Sequence, residues 1–194
     1  MKTISSIGNR WWSLLLALFL TCNADSSLRR ETTNFANSQY QISSNCEDGE
    51  KSQGCSIYLI GKGKKKIIEY PLPPSSIRLE SGVFVIIFPC GTQCSATYFY
   101  APKKGLSGPY PLIVDYDLQR GLALSVAKNP IQIYQLFQKG DRSLVASVAL
   151  DLPRGSKFDP SSIIDAKLKN NIVFVDYINS KGERVTTSHQ AAKE

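Results

Sequence analysis

Three acids occur where strands could aim them at a substrate. Asp115 and Asp117 are two apart, so an extended chain puts both carboxylates on one face and Leu112, Val114, Tyr116 and Leu118 on the other. Two carboxylates flanking a sugar linkage are the working parts of glycoside hydrolysis. Asp176 alternates in step with Ile172 and Phe174, which makes it a candidate for a partly buried acid with a raised pKa. Plainer readings compete and are preferred: a strand with its apolar face inward and Asp115 and Asp117 in water, and Asp176 as a strand-end residue capping a turn.

Little else in the chain points to catalysis. A Ser or Cys nucleophile generally works with a His. The one histidine, His189, falls in a polar terminal stretch, a poor platform for a base. Gly-x-Ser-x-Gly does not occur, and Gly61-x-Gly63 is followed neither by a third glycine nor by a helical pattern. With one histidine and no Cys-x-x-Cys, a zinc site is also disfavoured. The expectation is therefore a protein that is not an enzyme, with no cofactor and no metal.

Lys62, Lys64, Lys65 and Lys66 form the densest positive run. Such a run could meet anionic lipid, polysaccharide, nucleic acid or an acidic protein, or it could be a solvated turn whose lysines deter edge-to-edge strand pairing. Tyr98, Phe99 and Tyr100 could stack on bases or sugars, but aromatic residues on a strand more often fill a core. The net charge of +7 becomes +5 if Lys2 and Arg10 are removed with an export signal. That excess is ordinary for solubility, and no nucleic-acid partner is expected.

Those two basic residues precede an apolar run, Trp11 to Leu20, which is followed by Thr21-Cys22-Asn23-Ala24. This is the layout of a secretory signal peptide at 1–24, too short to span a bilayer as a helix. Lipid attachment at Cys22 is the alternative, although Leu20-Thr21 is a poor lipobox. No later stretch is apolar enough to span a membrane. The remaining cysteines, Cys46, Cys55, Cys90 and Cys94, read as two disulfides in an exported chain. Of three possible pairings, the local ones, Cys46–Cys55 and Cys90–Cys94, are expected. No Asn-x-Ser/Thr occurs, which leans toward a bacterial envelope.

The elements that must position these groups are strands. Residues 83–88, Val-Phe-Val-Ile-Ile-Phe, are apolar on both alternating faces and must be covered on both sides. Pro89 ends that strand and Gly91 permits a tight turn. Four extended residues would hold Cys90 and Cys94 about 13 Å apart, so a bond between them requires the chain to reverse. Further strands are expected at 40–43, 55–60, 67–70 and 77–80, with hairpins at 112–118/122–127, 131–137/144–150 and 172–178/183–187. Residues 101–111 read as a Gly/Pro loop. Asp159-Pro160 should cap a helix over 161–169.

Val114-Asp115-Tyr116-x-x-x-Arg120-Gly121 echoes Val175-Asp176-Tyr177-x-x-x-Lys181-Gly182. Two copies do not set a period, and two ordinary hairpins account for them. The fold class is mainly β, an antiparallel sandwich or curled sheet of hairpins with at most one short helix. The chain divides into the signal peptide, a flexible polar linker at 25–38, one disulfide-bonded β domain at 39–188 and a mobile tail at 189–194.

An exported β domain with tied loops and no catalytic set suits docking on another protein. An immunity or inhibitor protein in the periplasm is the concrete form. The expected contact surface is Gly91, Thr92 and Gln93 together with Lys103 and Lys104. The alternatives are a carboxylate-dependent enzyme acting on envelope carbohydrate, and a surface protein that holds anionic polymer through Lys62–Lys66.

Overall fold

The computed structural model describes residues 27–36, 38–48, 54–138, 143–152 and 160–191. The expected export signal with Cys22, the turn residues 139–142 and the helix cap Asp159 lie outside them.

Fifteen strands occur among the described residues, most of them carrying alternating apolar residues, and these form four antiparallel sheets in chain order. Sheet I is β1 (Ser27–Asn34), β2 (Gln41–Asp48), β3 (Cys55–Ile60) and β4 (Lys64–Tyr70). Sheet II is β5 (Ser76–Glu80), β6 (Val83–Pro89), β7 (Ser95–Ala101) and β8 (Gly105–Pro111). Sheet III is β9 (Ile113–Asp117), β10 (Leu122–Ser125), β11 (Ile131–Gln135) and β12 (Leu144–Val148). Sheet IV is β13 (Ile163–Lys169), β14 (Ile172–Ile178) and β15 (Arg184–Gln190). Each strand pairs with its neighbour in sequence, so every sheet is a simple meander.

The sheets pack face to face as a sandwich of four layers, with a core in each of three spaces. Ile42, Ile57, Leu59 and Ile68 of sheet I meet Phe84, Ile86, Phe88 and Tyr98 of sheet II. The other face of sheet II, with Val83, Val85 and Phe99, meets Ala123 of sheet III and Leu136 beyond β11. Leu122, Leu124, Ile131 and Ile133 of sheet III then meet Ala166, Val173, Val175 and Tyr177 of sheet IV. The twofold apolar pattern of residues 83–88 is thereby explained, because β6 feeds two cores at once.

Several expected elements differ. Residues 161–169 are not a helix: a 3-10 turn at Pro160–Ser162 leads into strand β13. Ala166 and Leu168 alternate there with Asp165, Lys167 and Lys169, a period of two, and β14 offers a ladder that outweighs the capping signal. The polar lead at 25–38 is strand β1 from Ser27 to Asn34, paired along its length with β2. Its apolar pattern is weak because it lies at a sheet edge. His189 belongs to β15, opposite Val173, rather than to a tail.

The Gly/Pro loop at 101–111 contains β8. Its prolines are tolerated because β8 is an edge strand that needs no donor on its outer side. Gly108 takes φ 113° and lies so close to β7 that a Cβ would meet the Thr97 carbonyl oxygen at 2.7 Å. Phe137, the last residue of the expected strand 131–137, packs against the core between sheets II and III, whereas Ile131 and Ile133 face sheet IV. The chain has left β11 by then, and Phe137 adopts φ 63°.

One buried polar atom stands out. Thr97 is 1% exposed, and its hydroxyl has no hydrogen-bond partner among the described residues. A buried hydroxyl without a partner is destabilising. Thr97→Val is therefore expected to raise stability by about 1 kcal/mol, read as a higher urea midpoint at unchanged slope. A lower midpoint would overturn that assignment.

Candidate functional site

The two paired acids of the sequence do share a face, but water does not surround it. In β9 the register slips against β10: Asp115 pairs with Leu124 and Ile113 with Ser125, which leaves Val114 unpaired. This bulge sends Ile113 and Tyr116 toward sheet II and turns Val114 out, 46% exposed. Val114 therefore does not sit inward with Tyr116 as the plain alternation implies. Asp115 faces sheet IV. Its carboxylate accepts the Tyr116 N–H at 2.9 Å and the Leu168 N–H of β13 at 2.7 Å. The expectation of solvated acids fails because sheet III is covered on both faces.

Asp117 closes the β9–β10 turn. It accepts the N–H groups of Gln119 and Arg120, each at 3.0 Å, and the Arg120 guanidinium at 2.9 Å. Burial pushes this carboxyl up, but the backbone and guanidinium donors of Arg120, with the Gln119 N–H, outweigh it and hold it below its ordinary value.

Sequence reasoning missed Glu80 and Tyr116 as a pair. The Tyr116 hydroxyl donates to Glu80 Oε2 at 2.8 Å and links the edge of sheet II to that of sheet III. Burial, reinforced by this bond and by the Glu80 charge, pushes the Tyr116 hydroxyl up to about 12. No local pattern could have announced this contact, because 36 residues separate the partners. Glu80, Tyr116, Asp117 and Arg120, with Leu168 to Asn170, border an open cleft of about 350 Å³. Its acids are engaged by internal donors, Glu80 by the Tyr116 hydroxyl and Asp117 by Arg120.

Asp176 is likewise held. On the outward face of sheet IV, both of its oxygens accept the Arg184 Nε–H at 3.0 Å. That bond and the guanidinium charge lower its pKa, so the raised value considered from sequence is overturned. Phe174 and Ile172, on the same face, are 40% and 37% exposed. His189 is exposed and lies 3.2 Å from the Thr187 hydroxyl. Among the described residues, no group of three or more His, Cys, Asp or Glu side chains could hold a metal ion.

Both disulfides have the expected pairing. Cys46 and Cys55 face each other across the β2–β3 ladder, because β2 runs on past the expected strand at 40–43 to Asp48. Cys90 and Cys94 close the β6–β7 turn with their Cα atoms 5.1 Å apart, as a reversal requires. Residues 90–94 are all exposed. Beside them runs the β8–β9 connection, where Leu112 N–H donates to the Ser95 carbonyl at 2.9 Å.

The structure does not bring Lys103 and Lys104 to this turn. They lie beyond the opposite end of β7, seven residues long, or about 20 Å away at 3.3 Å per residue. Lys104 instead sits over the Phe137 ring at 5.3 Å. The lysine run lies on edge strand β4 and the turn before it. Lys64 covers the Tyr58 ring at 4.1 Å and Lys66 pairs with Glu69 at 2.6 Å. Lysines on an open edge oppose strand-to-strand association, and two of the four already have internal partners.

Asp115→Ala would leave two backbone N–H groups without their acceptor. It is expected to cost about 1–3 kcal/mol in a denaturation experiment, whereas Asp115→Asn, which keeps an acceptor oxygen, should cost less. The Tyr116 shift has a definite sign. The folded protein holds this proton above the ordinary tyrosine value of 10.0, so its contribution is full below pH 10 and is lost between pH 10 and about 12. Tyr116→Phe should flatten the decline in stability over that window, and an unchanged slope would show that Tyr116 does not couple to folding.

Comparison with known proteins finds no matching family model, no matching curated protein and no matching solved structure.

Proposed function

We propose that this chain is an exported, non-catalytic binding protein, in concrete form an immunity or inhibitor protein of the periplasm that neutralises an envelope-acting enzyme. One observation carries the reading. The turn at residues 90–94 is wholly exposed and closed by its own cross-link. It is mounted on β6 and β7, where Phe84, Val85, Ile86, Phe88 and Phe99 are all 0% exposed. A turn held in shape from below and across loses less entropy when it docks.

The disulfides and the acids support this reading. The cystines fit an oxidising compartment. Asp115, Asp117 and Asp176 are engaged by backbone or arginine donors, which suits a structural role better than a catalytic one. The contact surface is Gly91, Thr92 and Gln93 with the neighbouring connection at Pro111 and Leu112, in place of Lys103 and Lys104.

The test is capture of a single protein from a periplasmic extract by the full chain at high salt, followed by affinity measurements on that complex. Thr92→Arg and Gln93→Arg are each expected to weaken it tenfold or more, the 1.4 kcal/mol scale of a contact residue. Glycan turnover abolished by Asp115→Asn or Asp117→Asn would overturn the reading in favour of an enzyme. Binding to a polyanionic resin that disappears on joint replacement of Lys62, Lys64, Lys65 and Lys66 by Ser, with no protein captured, would overturn it in favour of a polymer-binding protein.

A further inference from the structure

The two disulfides occupy opposite surroundings. Cys46 and Cys55 lie within a ladder and are 6% and 2% exposed. Cys90 and Cys94 lie in a turn whose five residues are all exposed. Disulfide exchange begins when an incoming thiolate reaches one of the sulfurs, so access separates the two bonds.

We propose that Cys90–Cys94 is a thiol–disulfide exchange site, opened by a dithiol reductant while Cys46–Cys55 stays closed. One thiolate of the reductant attacks either sulfur, forms a mixed disulfide and releases the other cysteine as a thiolate. The second thiolate of the reductant then displaces the remaining protein sulfur. The reductant leaves as a cyclic disulfide. Two electrons have passed to the protein, and its two thiolates take up the two protons that the dithiol gave up.

Opening this bond frees the turn without unfolding the sheet. Six ladder pairs, from Phe84↔Tyr100 to Pro89↔Ser95, continue beneath it, and both faces of that hairpin are buried. Among the described residues, the Cys90 N–H to Cys94 carbonyl bond at 3.3 Å is the one backbone hydrogen bond that holds the turn above Pro89. Gln93 takes φ 54° there, a backbone conformation that a side chain disfavours and that the closed ring maintains. Resting on the docking role proposed above, reduction would loosen the contact surface and weaken partner binding.

The native full chain should be titrated with dithiothreitol, quenched by alkylation and mapped by peptide mass spectrometry. Cys90 and Cys94 are expected to become alkylated at a dithiol concentration at least tenfold below that needed for Cys46 and Cys55. Simultaneous opening, or the reverse order, would overturn the proposal. In Cys90→Ser/Cys94→Ser protein, the NMR order parameters of Thr92 and Gln93 should fall from near 0.85 to below about 0.6, with those of β6 unchanged. Unchanged values at Thr92 and Gln93 would overturn the release of the turn. Selective opening with undiminished partner capture would remove the docking surface and leave the exchange site standing. Unselective opening removes the exchange site whatever capture shows.

Discussion

A strand that is apolar on both faces has to be covered twice, and the rest of this molecule answers that demand. Residues 83–88 cannot lie at the surface of a two-layer sandwich. Sheet I covers one side and sheet III the other, and sheet III, apolar on both faces in turn, needs sheet IV. The series ends differently at its two extremes. On the outer side of sheet I the ladder carries Thr32, Tyr58 and Lys66, polar or amphipathic groups that water can meet, around a buried Ser43 whose hydroxyl donates to Asn45 Oδ1. The outer side of sheet IV still shows Phe174 and Ile172, moderated by the Asp176–Arg184 pair. Stacked arrays require polar end faces for the same reason.

The same double coverage changes what the charged residues do. On a half-exposed strand, Asp115 and Asp117 would be free solvent-facing acids. Between sheets, Asp115 becomes an acceptor for a backbone N–H of β13, a donor that the edge strand could not otherwise satisfy within its ladder. Glu80 with Tyr116, and Ser107 with the Phe137 N–H at 2.7 Å, tie sheets II and III in like manner. Ser180 with Asp151 reaches from the end of β14 to the segment after β12. Burying an unpaired polar group costs more than the net gain from a typical hydrogen bond, so each connector also specifies how neighbouring sheets meet. Side chains that look chemical in sequence are used up as joints between sheets and as turn caps.

How much of this the sequence discloses depends on whether the signal is local. Residues 83–88, the cysteine turn and the two cystine pairings rest on spacing within a few positions, and they are legible. Strand β1 is not, because Arg29, Arg30, Glu31, Thr32 and Thr33 carry no apolar alternation and gain their order from β2 alone. Strand β13 was masked by a capping signal, Asp159-Pro160, that is locally sound and loses to a ladder formed with β14. The bulge turns Val114 away from the face it shares with Tyr116 in a plain alternation, and only the register with β10 exposes it. The echo of Val-Asp-Tyr falls on the first strand of sheet III and the second strand of sheet IV, so it marks no repeat. The succession of four meanders leaves no period in the residues, because each sheet meets different neighbours and fills its core with different side chains.

The placement of the disulfides argues for shape over bulk stability. In the chain-entropy account, a cross-link gains with the length of loop it closes, about 3 kcal/mol for 15 residues and nearly 5 for 100. A chain whose sheets needed fastening would place its cystines between layers. Here the separations are 9 and 4 residues, each within one sheet, near the bottom of that scale. The layers are held by cores in which a single buried phenylalanine contributes about 1.5–3 kcal/mol. The Cys90–Cys94 link therefore adds little to the cohesion of a hairpin already laddered to Pro89 and Ser95. What it changes is the freedom of Gly91, Thr92 and Gln93, exposed residues that belong to no core.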